Sequence, residues 1–299
     1  MPTFVDLFSG CGGASCGMRA AGWSPVCAVD MDAVSLETYS LNFPSARTLR
    51  GDLRDPAVQE ELLSEHAGVD GVVGGPPCQG FSSLHNVSGA RYDEMNRLPM
   101  TFASVALSLS PRVIFMEEVP RAASVVRDVA ARVVSAGYAV WTGVLDASLY
   151  GVAQRRKRLL LVAVRGGAMF EPPLPGPALT VAEALSRAPA PAWGRQVSEY
   201  VRRKILEYDE RGRRAGQYEV MDVTQPARTV TTQTYSNTGP YTQKRAGVYY
   251  ELSLQEAARL QSFPPDFVLA GSVKNQRKQL GNAVPPELMR RVAMAVILP

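Results

Sequence analysis

The stretch Gly74-Gly75-Pro76-Pro77-Cys78-Gln79-Gly80-Phe81-Ser82 holds the side chain of this 299-residue chain best suited to covalent chemistry. Two glycines and two prolines fix an irregular loop directly after a strand-like run at 71–73, and they hold the Cys78 thiol out of the core. A lone cysteine is more often an inert packing residue, but one in a rigid loop at a sheet edge is a nucleophile candidate. Its pKa must then be drawn below the usual value of about 8.5 by cations or backbone dipoles. A second strand-like run, 113–116, ends in Glu117-Glu118-Val119-Pro120 and delivers a carboxyl group that could donate to or polarise a ring nitrogen. A third feature, Gln154-Arg155-Arg156-Lys157-Arg158, precedes another strand candidate and offers fixed cations for a substrate or phosphate.

A different chemistry is suggested by Asp6-Leu7-Phe8-Ser9-Gly10-Cys11-Gly12-Gly13, where a strand runs through a glycine-rich turn into a helix. Such a turn lets backbone approach a ligand closely at a helix N-terminus. It is not G-x-G-x-x-G, so a dinucleotide fingerprint fits poorly. The next strand candidate ends at Asp30, beside Met31 and Asp32, and an acid at that place hydrogen-bonds ribose hydroxyls. Asp52, followed by Leu53, is placed to meet a nucleoside base. Together these residues read as a nucleoside pocket without a phosphate requirement. For any single aspartate the alternative is a helix cap.

The elements that position these residues follow from the apolar pattern. Strands are predicted at 4–8, 25–29, 71–73, 113–116, 139–144 and 159–164, with helices at 13–21, 33–42, 56–67, 101–109 and 122–136 between them. This alternation predicts a parallel α/β sheet covered on both faces, with ligands at the carboxyl ends of its strands. After Arg165 the texture changes to proline-rich linkers and a basic, Tyr- and Thr-rich region, read as a small domain of short strands and loops. Helical character returns at 254–261 and 287–297. The resulting division is a catalytic and cofactor-binding α/β domain over 1–169, a second domain over 170–250, and a segment 251–299 that returns to the first.

Composition narrows the class further. A hydrophobic content of 46% and charged content of 20% suit a globular enzyme rather than a disordered or fibrous chain. The net charge is only +4, but basic clusters at 155–158, 202–204, 211–214, 244–245, 274–278 and 290–291 favour the second half, the expected footprint of a polyanion-binding face. The four cysteines form no C-x-x-C pair and only two histidines are present, so no metal site is expected. No apolar run approaches the ~20 residues of a membrane helix, and the expected location is the cytoplasm.

In this order the motifs closely resemble those of the DNA cytosine-5 methyltransferases, chiefly of bacteria and phages. The resemblance runs from Phe4 to about Val296. It rests on Asp6 to Gly13, Pro76-Pro77-Cys78-Gln79, Glu117-Glu118-Val119 where the family has Glu-Asn-Val, and Gln154-x-Arg156-x-Arg158. Leu254-x-Glu256-Ala257-Ala258-Arg259-Leu260-Gln261-Ser262-Phe263-Pro264 and Gln279-Leu280-Gly281-Asn282-Ala283-Val284-Pro285 match the last two motifs.

The resemblance implies a Rossmann-like S-adenosylmethionine-dependent methyltransferase sheet with a small, mainly β and loop, target-recognition domain. It implies S-adenosylmethionine as methyl donor, S-adenosylhomocysteine as product and double-stranded DNA as substrate. Catalysis falls to Cys78, Glu117, Arg156 and Arg158, with Cys78 adding to carbon 6 of a cytosine flipped out of the duplex. The cofactor is expected against Phe8, Ser9, Gly10, Cys11, Gly12, Gly13, Asp30, Met31, Asp52, Leu53, Pro77, Asn282, Ala283 and Val284. DNA contacts are expected from Gln79, Ser82, Ser83, His85, Gln154, Arg228, Thr231 and Tyr235. The resemblance implies a monomer, in a bacterial cell or phage-encoded in the host cytoplasm, and leaves room for a cognate restriction endonuclease as partner. Two departures stand out: Glu118 replaces the usual Asn, and Met95 stands where an arginine is common. They bear on rate and pH optimum rather than on the reaction. A tRNA cytosine methyltransferase on the same scaffold and a non-catalytic nucleic-acid-binding relative are the alternatives. The recognition region favours DNA over the first, and intact Cys78, Glu117 and Arg158 argue against the second.

Overall fold

Short apolar runs bounded by glycine and aspartate become the strands of one sheet. In the computed structural model, which describes residues 1–77, 97–167, 170–186, 194–210, 220–232 and 242–296, these are β1 (Thr3–Leu7), β2 (Ser24–Asp30), β3 (Arg47–Arg50), β4 (Gly71–Gly74), β5 (Val113–Glu118), β6 (Tyr138–Asp146) and β7 (Lys157–Arg165). Their order across the sheet is β3-β2-β1-β4-β5-β7-β6. The first five pair in parallel. β7 runs antiparallel to both β5 and β6. The expectation of an all-parallel sheet is therefore corrected at one strand. That correction matters for function, because the start of β7 lies at the same sheet edge as the carboxyl ends of the parallel strands.

Helices α1 (Gly13–Ala20), α2 (Ala33–Asn42), α3 (Pro56–His66), α4 (Leu98–Leu109) and α5 (Ala123–Ser135) connect the strands, and α10 (Pro286–Met294) returns from the far end of the chain. One face of the sheet buries Val5, Leu7, Val72, Ile114, Met116 and Leu161 against Phe102, Val105, Leu109, Val129 and Val133 of α4 and α5. At roughly 25 cal/mol per Å² of apolar surface, these fully buried side chains contribute about 1.5–3 kcal/mol each before entropy is counted. On α1, a Cβ at Gly17 would stand 2.2 Å from the carbonyl oxygen of Pro286 in α10. Only glycine allows that approach of the two backbones. The strand order reverses between β1 and β4, and the loops leaving those two strands carry Phe8–Gly12 and Gly75–Pro77, the crevice where open α/β sheets bind ligands.

The compact units are Met1–Asp146, Lys157–Pro175 and Val284–Pro299 for the first, and Ala147–Arg156 and Gly176–Ala283 for the second. Thus the Gln154-Arg155-Arg156 stretch packs with the second unit, and so does most of the segment after residue 250. The second unit contains α6 (Val181–Ser186), α7 (Glu199–Glu210), the hairpin β8 (Thr242–Arg245) and β9 (Val248–Glu251), α8 (Leu254–Leu260) and α9 (Val273–Asn282). The basic run 202–204, expected among short strands and loops, lies on the helix α7 instead. There Arg202 pairs with Glu199, and both Arg203 and Lys204 pair with Glu207, while Ile205 is buried. Arg245 pairs with Glu256, and Arg290 and Arg291 with Glu287. Much of the positive charge read as a polyanion face is engaged within the chain.

Candidate active site

The turn after β1 is shaped by backbone that ordinary residues avoid. Phe8, Gly10 and Gly12 all have positive φ, at 56°, 52° and 87°. A Cβ at Gly12 would stand 2.7 Å from the Phe43 ring, so the turn is closed on one side by Tyr39 and Phe43. A Cβ at Gly10 would meet nothing within 4 Å, so the other side is open. The Gly10 amide donates to Asp30 Oδ2 at 2.8 Å and the Asp32 amide to Asp30 Oδ1 at 2.8 Å. Asp30 is thereby held at the end of β2 with lone pairs left for a ligand hydroxyl. Burial raises its pKa, and the amides of Asp32 and Gly10 oppose that shift. Asp32 itself is a helix cap, accepting from the amides of Val34 and Ser35.

This edge fits the nucleoside part of S-adenosylmethionine. The hydroxyl of Ser9 is buried with no hydrogen-bond partner among the described residues, which a ligand atom would supply. Met31 is 60% exposed beside Asp30, an apolar side chain standing in water where a base could cover it. Asp52 is held by Arg54, whose guanidinium keeps its carboxyl below the usual range. Cys11 and Leu53 are buried, each 2% exposed. Burial pushes the Cys11 thiol up to about 12. Asn282 is exposed, while Ala283 and Val284 are buried.

Behind this turn lies a network that sequence reasoning did not assign. The Asp6 carboxylate accepts a 2.6 Å hydrogen bond from the Ser15 hydroxyl, which is 2.7 Å from the Tyr39 hydroxyl. β1, α1 and α2 are tied together by it. Complete burial, reinforced by nearby Asp30 and opposed by Ser15, raises the Asp6 pKa to about 7. The signal in the sequence was an acid inside an otherwise apolar strand.

At the ends of β5 and β7 the two expected catalytic side chains meet. Arg158 Nε lies 2.5 Å from Glu117 Oε1, both side chains only slightly exposed. A Cβ at Gly75 would stand 3.3 Å from Glu117 Oε2, so the loop that leads to Cys78 passes against this carboxylate. Glu118, next along β5, is 3% exposed and accepts from the Val119 amide at 3.0 Å. Cys78, Gln79, Ser82, Ser83, His85, Met95 and Tyr235 lie outside the described residues. Pro77, the last described residue of the loop, is partly buried.

Arg156 and Gln154 are positioned otherwise than expected. Arg156, assigned to catalysis, is 1% exposed and donates from Nη1 to the Val230 carbonyl at 2.9 Å and from Nη2 to the carbonyls of Gly281 and Ala283, both at 3.0 Å. Gln154, assigned to DNA, is 0% exposed and accepts from the Val230 amide at 2.9 Å. Both side chains hold the chain's own backbone, and neither presents a surface to DNA. Arg228 is exposed and Thr231 partly so, both in the segment held here.

No group of His, Cys, Asp and Glu among the described residues could hold a metal ion, and no helix there is long and apolar enough to cross a membrane.

Residues 2–297 match the family of C-5 cytosine-specific DNA methylases. The chain is 30% identical to Type II methyltransferase M1.HphI of Haemophilus parahaemolyticus over 328 residues, covering 99% of this chain and 86% of that protein. It is also 30% identical to Type II methyltransferase M.HgiDI of Herpetosiphon aurantiacus, covering 95% of this chain and 90% of that one. The solved structure of the Entamoeba histolytica methyltransferase EhMeth shares the fold, with a TM-score of 0.76 at 14% identity over 99% of this chain and 97% of that one. A mostly parallel seven-stranded sheet, a glycine-rich turn of positive φ after β1 and a carboxylate and guanidinium joined at the sheet edge agree with these similarities, and the chain belongs to the C-5 cytosine-specific DNA methylases as a DNA cytosine-5 methyltransferase.

Proposed function

We propose that the chain methylates carbon 5 of a cytosine flipped out of duplex DNA, by way of a bond between the Cys78 sulfur and carbon 6. The observation that carries this reading is the Glu117–Arg158 pair beside Gly75, three residues before Cys78 in the chain. Carbon 5 of cytosine is a poor nucleophile. Addition of the Cys78 thiolate to carbon 6 makes it the nucleophilic end of an enamine. Glu117 holds ring nitrogen 3 and the exocyclic amine, where charge changes during that addition. Arg158 orients Glu117 and faces the oxygen-2 side of the ring. S-adenosylmethionine supplies the methyl group as an electrophilic carbon on its sulfonium. Loss of the carbon-5 proton and departure of Cys78 then restore the aromatic ring.

Phe8, Ser9, Gly10, Gly12 and Gly13 form the turn that receives the cofactor, with Asp30 on its ribose, Met31 and Asp52 beside its base, and Pro77 and Val284 also on the cofactor. Asn282, in the terminal motif, is assigned to the cofactor as well. Arg228 and Thr231 contact DNA, together with Gln79, Ser82, Ser83, His85 and Tyr235. Arg156 and Gln154 position backbone rather than touch substrate. The enzyme acts as a monomer.

Duplex DNA containing 5-fluorocytosine, incubated with protein and S-adenosylmethionine, tests the reading. Fluorine at carbon 5 cannot leave as a proton does, so the adduct persists. A protein–DNA band that survives denaturation and is lost in Cys78→Ala is expected. Methylation of normal DNA without any such band overturns the covalent route. Methyl incorporation into duplex DNA set against bulk tRNA checks the substrate. Bisulfite sequencing of DNA from cells expressing the chain gives the target.

A further inference from the structure

The Gln154–Arg156 stretch holds two segments that are far apart in the chain. Around Gln154, the Ala227 amide donates to the Ala153 carbonyl at 2.9 Å, and the Arg155 amide donates to the Ala227 carbonyl at 2.8 Å. The Thr229 hydroxyl donates to the Arg155 carbonyl at 2.7 Å. Residues 227–230 are thus laid along 153–156 as an added strand-like rung. The Arg156 guanidinium then reaches across to Gly281 and Ala283 from the same plane that holds Val230. Contact between the two held segments is direct as well. A Cβ at Gly281 would stand 2.3 Å from the Thr232 nitrogen and 2.6 Å from the Thr231 carbonyl carbon, so only glycine permits this backbone approach. Segment 227–232 bears the exposed Arg228 and the partly exposed Thr231, and segment 281–283 bears the exposed Asn282. In the functional reading above, the first pair meets DNA and Asn282 meets the cofactor.

We propose that Arg156 is a positioning residue that couples DNA binding to S-adenosylmethionine binding, by making residues 227–232 and 281–283 one body. This inference rests on the assignment of those segments to DNA and cofactor. A planar fork of five fixed donors can satisfy three carbonyls from two segments at once. Ordering either segment on its ligand then orders the other, which is positive coupling, and coupling between two ligands is reciprocal. A lysine keeps the charge but concentrates its donors at one tetrahedral nitrogen, so it cannot span the same carbonyls.

The probes are S-adenosylhomocysteine, titrated calorimetrically, and sheared genomic DNA free of cytosine methylation. In the wild-type protein, excess DNA is expected to tighten S-adenosylhomocysteine binding by about tenfold, a common size for coupling between two sites. In Arg156→Lys that ratio is expected to fall to about one, with both KM values raised and kcat at saturation reduced much less. Thr229→Val, which removes one bond of the same anchor, is the milder variant if Arg156→Lys does not fold, and an intermediate ratio is expected from it. The inference is overturned if the wild type shows no DNA-dependent change in affinity, or if a folded variant keeps the wild-type ratio. Failure of the functional reading is separate: it is a wild-type protein that methylates no duplex DNA.

Discussion

Arg158 and Glu117 face each other across β5 and β7, 2.5 Å apart: Glu117 pairs with Leu160 inside the ladder, and Arg158 stands one residue beyond its last rung, Glu118 with Leu159. The pair exists because β7 runs against its neighbour, so its first residues arrive where β5 ends. Neither side chain has much water around it. Removing one partner leaves a partly desolvated charge whose orientation is no longer fixed.

Glu117→Gln should lower kcat by about 10²–10⁴-fold, the usual worth of a positioned acid or base. Arg158→Ala should lower it by about 10²–10³-fold, comparable to loss of one electrostatic donor at a reacting group. Because both act on one ring, the double variant should lose little more than the worse single one. Single-turnover methyl transfer at saturating DNA and cofactor measures all three. Losses that multiply would show that the two side chains work separately.

Glu118 takes the place of an expected asparagine and is buried with its carboxylate on the Val119 amide. Asparagine retains an oxygen acceptor for that amide and removes a carboxylate. Glu118→Asn should therefore keep or raise kcat, with any change showing in the shape of the pH–rate profile. Complete loss of methylation would assign Glu118 an essential role of its own.

Asp6 supplies a pH dependence with a definite sign. Its folded pKa of about 7 lies above its ordinary 3.8, so the folded state binds the proton more tightly than the unfolded chain. Its contribution to stability is fully present below pH 4, declines as pH rises, and is gone above about 7. The full span is on the order of 4 kcal/mol. Asp6→Asn keeps an acceptor for Ser15 without the ionisation. Melting curves between pH 5.5 and 8.5 should show the wild type losing stability relative to this variant as pH rises. A constant difference across that range would mean that Asp6 does not titrate there.

The cofactor turn should be sensitive to a single methyl group. Gly12→Ala must accept both a φ of 87° and a Cβ 2.7 Å from the Phe43 ring. Gly22→Ala has a comparable φ of 90° but nothing within 4 Å. Strain alone costs roughly 1 kcal/mol or somewhat more. Gly22→Ala should therefore lower stability modestly with KM for S-adenosylmethionine unchanged. Gly12→Ala should raise that KM at least tenfold, as read from initial rates at fixed DNA. Equal effects of the two would remove the close fit around Gly12 as an explanation.

Much of this was legible beforehand wherever local chemistry decides structure. The helix 33–42 forms as expected because Asp32 caps it, and the runs leading to Asp30 and Glu117 are strands because they are continuously apolar. β3 was missed: in Arg47-Thr48-Leu49-Arg50 only Leu49 is buried, and Arg47 is held by Glu61 and Glu65 of α3, partners remote in sequence. α7 was missed because Val201 and Ile205, its buried side, are few among charges that pair along the helix. Arg156 and Arg158 looked equivalent in the sequence. What separates them is which of two compact units each one joins, and that boundary falls at Arg156 itself.

That boundary sets the terms on which the second unit could be exchanged for another. Its two pieces, Ala147–Arg156 and Gly176–Ala283, are interleaved with the catalytic framework, and the shorter piece ends two residues before the arginine that meets Glu117. A graft of residues 176–283 alone would leave the donor's backbone facing a foreign Gln154 and Arg156. A chimaera that carries the whole of another protein's second unit should join at four places: after Asp146, before Lys157, after Pro175 and before Val284. The ten residues of the short piece, no more than a connection between two strands in the linear sequence, are the part that must travel with the rest.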